Sequence, residues 1–217
     1  MSALAIAAVL GLLLGLRHAF EPDHLAAVTT LVTSGESPSR GFRLGATWGL
    51  GHTLSLFVVG GALCVLRRQL PPALEDGFEL VVAVMLVVLG VRALVIAGHG
   101  HAHPAPSNPG RRSLLVGLTH GLAGSGAMTA IAMAAMPDPK LALGYIALFG
   151  AGSAVGMGLM TAVAGRGLRA LDGRQQWQRG LTVAAGLVSL VLGLVWGTPR
   201  AVRLVSRPAE SVQLSLR

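Results

Sequence analysis

The chain has 217 residues, of which 53% are hydrophobic and only 12% charged, and its mean hydropathy is +0.67. A soluble domain of this length carries about twice that charged fraction, so the composition excludes a water-soluble enzyme or binding module. The net charge of +8 raises nucleic acid as a partner, but the 17 basic residues sit in ones and twos between apolar stretches, and no nucleic-acid partner follows.

Apolar segments fall at 3–32, 44–66, 78–98, 113–136, 141–164 and 180–198. Each is long enough to cross a hydrocarbon core of about 30 Å, which predicts an all-α polytopic membrane protein with six transmembrane helices. Met1 to Leu16 has no basic residue ahead of its apolar run, and its first charge, Arg17, follows it. That order is wrong for a secretory signal, so the segment reads as a retained first helix. The first segment is longer than a membrane needs and carries Pro22, which predicts a broken or kinked helix. Residues 99–112 form a His/Pro/Gly-rich loop, and the tail 199–217 alternates Arg with Val and Leu as a mobile or interfacial end. Cys64 is the sole cysteine, so neither an intramolecular disulfide nor a CxxC motif is available. Met128, Met133, Met136, Met157 and Met160 read as filler of membrane helices.

An internal repeat runs through the chain. Gly15-Leu16-Arg17-His18 lines up with Gly117-Leu118-Thr119-His120 at an offset of 102. Trp48-Gly49-Leu50-Gly51-His52 lines up with Phe149-Gly150-Ala151-Gly152-Ser153 at 101, and Val88-Leu89-Gly90-Val91 with Val191-Leu192-Gly193-Leu194 at 103. Two three-helix units, 1–98 and 113–198, follow. Three is odd, so the second unit lies inverted relative to the first, an arrangement used by transporters with a midplane site. Eight Arg in connections 1–2, 3–4 and 5–6 face three basic residues on the opposite side, or seven with the tail, which leans toward both termini outside and the His loop inside.

The chemistry concentrates in Arg17-His18-Ala19-Phe20-Glu21-Pro22-Asp23-His24, where two imidazoles and two carboxylates fall at membrane depth. Ionisable groups there cost roughly 2.5–3.5 kcal/mol each on insertion scales and are therefore paired, buried or functional. Imidazole with carboxylate is a ligand set suited to borderline dications such as Ni²⁺, Co²⁺ and Zn²⁺. In a continuous helix His18 and His24 point about 120° apart, but Pro22 frees a turn that lets His18, Asp23 and His24 converge. The alternative is a helix N-terminus capped by Asp23 beside two solvated histidines. His52, flanked by Gly49 and Gly51, is placed to approach the first span. Glu21 and His120 are weaker candidates: His120 matches His18, but Ala123 to Gly126 stand where the first unit has its charged residues. His99, His101 and His103 either hold metal loosely at the pore mouth or are simply solvated.

His18-X4-Asp23-His24 inside the first span resembles the signature of the nickel/cobalt transporter superfamily, and Gly51-His52-Thr53 resembles its second His-containing motif. Six spans without extra leading helices look most like its urease-accessory (UreH-type) branch. The resemblance implies transmembrane transport of Ni²⁺ and/or Co²⁺, with His18, Asp23, His24 and His52 at the ligand positions, although Glu21-Pro22 replaces the usual acidic-Ala pair. It implies no tightly bound cofactor and a multi-pass protein of the bacterial inner membrane. A membrane metalloenzyme is disfavoured, because no HExxH is present and four histidines within spans are too few for a di-iron site. A structural partner in urease or hydrogenase maturation, and a homo-oligomer, stay open.

Overall fold

Pro22 decides the first structural event in the chain. It has no N–H to donate and crowds a preceding helical turn, yet it suits the first position of a new helix. In the computed structural model, which describes residues 3–31, 37–99, 108–136 and 138–206, α1 (Ala3–His18) therefore stops short of it and α2 (Pro22–Leu31) begins on it. Tight bonds from Phe20 N–H to Arg17 O (2.9 Å) and Glu21 N–H to His18 O (3.0 Å) close the break. The broken first segment expected from the sequence is present.

The described chain is all-helical. It continues through α3 (Pro38–Ser55), a π-helical turn (Leu56–Gly60) and α4 (Gly61–Leu66), which together make one long rod. Then come α5 (Pro72–His99), α6 (Pro109–Ala135), α7 (Pro139–Arg169) and α8 (Gln175–Ser206). Capping sets two of the starts: the Ser37 hydroxyl accepts from Arg40 N–H at 3.3 Å, and the Asp138 carboxylate from Lys140 N–H at 2.9 Å. Among the described residues four helices are long and apolar enough to cross a membrane: Pro38–Leu66, Pro72–Gly98, Pro139–Arg169 and Gln175–Ser206. A shorter apolar stretch, Ala8–His18, accompanies them.

Two boundaries differ from the sequence expectation. The 199–217 tail does not begin at Pro199, which lies inside α8; the helix runs on to Ser206. The added turns are held from outside, because Arg200 pairs with Glu79 and Arg203 with Asp76, both on α5. The His-rich loop is also shorter than 99–112, since α5 ends on His99 and α6 starts at Pro109. His101 and His103 lie outside the described residues.

Helix packing relies on small residues and hydroxyls, as it must where lipid offers no hydrophobic contrast. Gly15 of α1 rests on the backbone of Phe149 in α7, and Gly117 of α6 on the backbone of Trp48 in α3. Gly49 meets Ala154, Gly150 meets Thr53, Gly90 meets Gly186 and Gly193 meets Ala83. The order of these contacts makes α1 parallel to α7 and α3 parallel to α6, whereas α3–α7 and α5–α8 are antiparallel. Hydroxyls tie the same seams: Ser55 donates to Leu118 O (2.7 Å), Ser113 to Leu44 O (2.6 Å), Ser153 to Gly15 O (3.1 Å) and Ser189 to Leu86 O (2.8 Å). Trp48, Leu86, Ile146 and Met157 are buried, while Val84, Val88, Val91, Leu187, Val191 and Val195 face outward. Outward Val and Leu on long apolar helices are what a lipid-facing surface requires.

Candidate metal centre

The break between α1 and α2 delivers two histidines to one place. His18 is the last residue of α1 and His24 lies in the first turn of α2, and their rings are 4.6 Å apart. His52 comes from α3, 5.2 Å from His18 and 5.3 Å from His24 between ring centroids. His120 comes from α6, 4.3 Å from His24. The approach of α6 to α3 depends on Gly117 and Gly121, whose missing side chains leave room for the backbones of Trp48 and His52.

Asp23 organises half of this cluster. Its two oxygens lie 3.1 Å from His24 Nδ1 and 2.7 Å from His120 Nε2. An ionised carboxylate only accepts, so each of those nitrogens carries the hydrogen. Glu21, with a half-exposed side chain, lies 3.0 Å from His18 Nδ1. Five further imidazole nitrogens are buried without a hydrogen-bond partner among the described residues: His18 Nε2, His24 Nε2, both nitrogens of His52, and His120 Nδ1. An unpartnered buried polar group costs about 1–3 kcal/mol, so five in one cluster need a common explanation. A cation supplies one for the four lone pairs among them, which are what it would bind, and leaves one N–H of His52 over.

The ligand atoms form two sets, His18–His24–His52 and Asp23–His24–His120, and within each they lie no more than 4.8 Å from one another. All six polar residues, Glu21 included, line a cavity of about 200 Å³. The structure thus brings His18, Asp23, His24 and His52 together as the sequence expected. It also puts His120 inside the cluster, where the sequence ranked it low. His99 ends α5, and its side chain is not among those described.

Sequence reasoning missed Glu79 and Arg200, which pair with each other and line the same cavity. A signal was available. Asp76 and Glu79 are three residues apart, as are Arg200 and Arg203, and two such pairs on antiparallel helices match charge to charge. Read singly, they pass for ordinary helix-end charges.

Outward-facing apolar helices around a buried His/Asp cluster define a helical, multi-pass membrane protein with a candidate site for a borderline dication. Comparison with known proteins narrows the class. The chain is 31% identical over 199 residues to the urease accessory protein UreH of Bacillus sp. (strain TB-90), covering 85% of this chain and 87% of that one. It is 27% identical over 155 residues to a protein of Methanocaldococcus jannaschii named for nickel/cobalt efflux, covering 69% and 72% respectively. The chloroplast protein FOR GROWTH AND FERTILITY 1 of Arabidopsis thaliana is 26% identical over 207 residues, which span 85% of this chain but 56% of that longer one. No family model and no solved structure matches. The chain belongs to the nickel/cobalt transporter superfamily, near its UreH-type members.

Proposed function

We propose that the chain is a permease for Ni²⁺ and/or Co²⁺ in the bacterial cytoplasmic membrane, with His18, Asp23, His24 and His52 as its principal site residues. The observation that carries this reading is the cluster itself: buried imidazole lone pairs from four helices converge on one cavity with a carboxylate behind them. The relative named for nickel/cobalt efflux supports the choice of cargo. Asp23 orients His24 and offsets the charge of the dication. Glu21, near the more open side of the cluster, adds negative potential there, whereas Glu79 is paired with Arg200, which lines the same cavity.

The same reading takes the molecule as six crossings in two inverted three-helix units. Contacts related by the offsets of the sequence repeat support it. The pair Gly15–Phe149 becomes Gly117–Trp48, and Gly49–Ala154 becomes Thr53–Gly150. Gly90–Gly186 becomes Gly193–Ala83, and the Ser189–Leu86 bond joins two equivalent positions. Rocking of one unit against the other then exposes the site alternately, with the α5–α6 connection inside. The name of the Bacillus relative favours a supply role for urease maturation over an enzymatic one.

The test is flux of radiolabelled Ni²⁺ and Co²⁺ in proteoliposomes, with a His24→Ala variant as the control. Saturable flux with wild type and none with His24→Ala is expected. Equal flux in both, at equal reconstitution, defeats the proposal.

A further inference from the structure

Resting on the permease reading, we propose that His120 is the ligand of a second station: the cation is received by His18, His24 and His52, then handed to His24 and His120, with Asp23 behind both rings. His24 holds it throughout. The two three-residue sets share that residue alone, and the ring centroids of His52 and His120 are 6.1 Å apart.

Three observations give the stations an order. The side chain of His18 is 16% exposed and lies against the half-exposed Glu21, so the first set meets the open part of the cavity. The side chains of Asp23, His24 and His120 are 10%, 1% and 2% exposed and His52 is closed off at 1%, so His18 alone marks the first set as the way in. His120 also has more bonding capacity than a structural role needs. Its Nε2 bond fully accounts for a side chain that merely steadies Asp23, whereas its Nδ1 is buried and unpartnered. With hydrogens fixed on His24 Nδ1 and His120 Nε2 by Asp23, lone pairs remain on His24 Nε2 and His120 Nδ1.

The proposed inverted repeat gives the hand-over a direction. His18 and His120 occupy equivalent positions in the two units, yet one is partly open and the other closed. Rocking exchanges the environments of equivalent positions, so closing the cavity on His18 opens His120 to the other face. Bonds from the ion to His18 and His52 break as a bond to His120 Nδ1 forms. Asp23 keeps the hydrogens on His24 Nδ1 and His120 Nε2, so His24 Nε2 stays on the ion and no proton moves.

Two measurements on the full chain separate reception from hand-over: Co²⁺ binding to purified protein, followed by visible absorption, and Co²⁺ flux into proteoliposomes. His120→Ala is expected to bind Co²⁺ within about threefold of wild type while its flux falls by about tenfold or more, because it spares the receiving set. His52→Ala is expected to lose both. His120→Gln retains an N–H for Asp23 but has no ring lone pair, and is expected to behave like His120→Ala. Normal flux in either His120 variant overturns the hand-over, as does loss of binding in His120→Ala equal to that of His52→Ala. A wild-type protein that neither binds nor moves Co²⁺ overturns the permease reading itself, a result distinguishable from the others because it needs no variant.

Discussion

Replacing Asp23 by Asn keeps the shape of the side chain and removes its charge. In the native site the carboxylate accepts from His24 at 3.1 Å and from His120 at 2.7 Å. Hydrogen bonds to a charged group contribute about 1.5–3 kcal/mol each, against about 1 kcal/mol for a neutral pair. The amide keeps one acceptor oxygen and turns a donor toward the second ring, so one bond is lost and the other drops to neutral strength. Only the bond to His24 bears on the receiving set, and its loss is about 1.5–3 kcal/mol, or roughly 10–150-fold in dissociation constant if all of it is felt by the ion. Some is recovered by relaxation, so a loss of about 10–100-fold is expected, the usual scale for removing an outer partner of a ligating histidine. The assay is Co²⁺ titration of purified Asp23→Asn protein, with size-exclusion elution as the check on folding. Asp23 also lies in the first turn of α2, where a negative charge suits the helix N-terminus. Asn serves about as well as Asp in a capping role. Binding within about threefold of wild type, below the 10–100-fold scale of a lost outer partner, would therefore assign Asp23 to the helix end and refute its place behind the metal.

Two other predictions concern the scaffold. Gly117→Val puts a side chain onto the Trp48 backbone, whereas a Cβ at Gly144 meets nothing within 4 Å. Overpacking of this kind costs about 1–3 kcal/mol, so Gly117→Val should lower the melting temperature by several degrees and Gly144→Ala should not; equal melting curves would discount the α3–α6 seam. In a Cys64→Ser background, Arg40→Cys, Arg111→Cys and Arg174→Cys should be labelled from the cytoplasm by an impermeant maleimide, and Gln69→Cys and Ser206→Cys from outside. Labelling of positions 69 and 111 from one face would break the six-crossing arrangement, while a uniform reversal would change only its orientation.

The part of the site that was legible in the sequence is the part governed by neighbours in the chain. Pro22 acts on the residues beside it, so the break, and with it the meeting of His18 and His24, followed from local backbone physics. His52 was legible because Gly49 and Gly51 beside it announce a close helix approach. His120 was undervalued because its own neighbours carry no charge. Its partner is Asp23, 97 residues away, and no local pattern reports such a pairing. The end of α8 was misjudged for the same reason. Pro199 reads locally as a stop, but Arg200 and Arg203 secure the following turns through carboxylates more than 120 residues distant.

That difference explains how the proposed repeat can be close in backbone and remote in chemistry. The contacts that relate the two units are mostly glycine against backbone, and they require only that certain side chains be absent. Such contacts survive wide substitution elsewhere, so the second unit keeps its seams while Ser153 stands opposite His52 and Ala123 to Gly126 stand opposite the charged turn. Ser153 is fully buried and bonded to the Gly15 carbonyl, serving the scaffold where its counterpart serves the cavity. A symmetric ligand set would create two equal wells, and an ion would have no reason to leave the first. In the proposed path the receiving set offers three imidazoles and the second station two, joined at His24, which grades it. If the two units rock as proposed, the symmetry of the scaffold serves the rocking and the asymmetry of the ligands lets it move an ion.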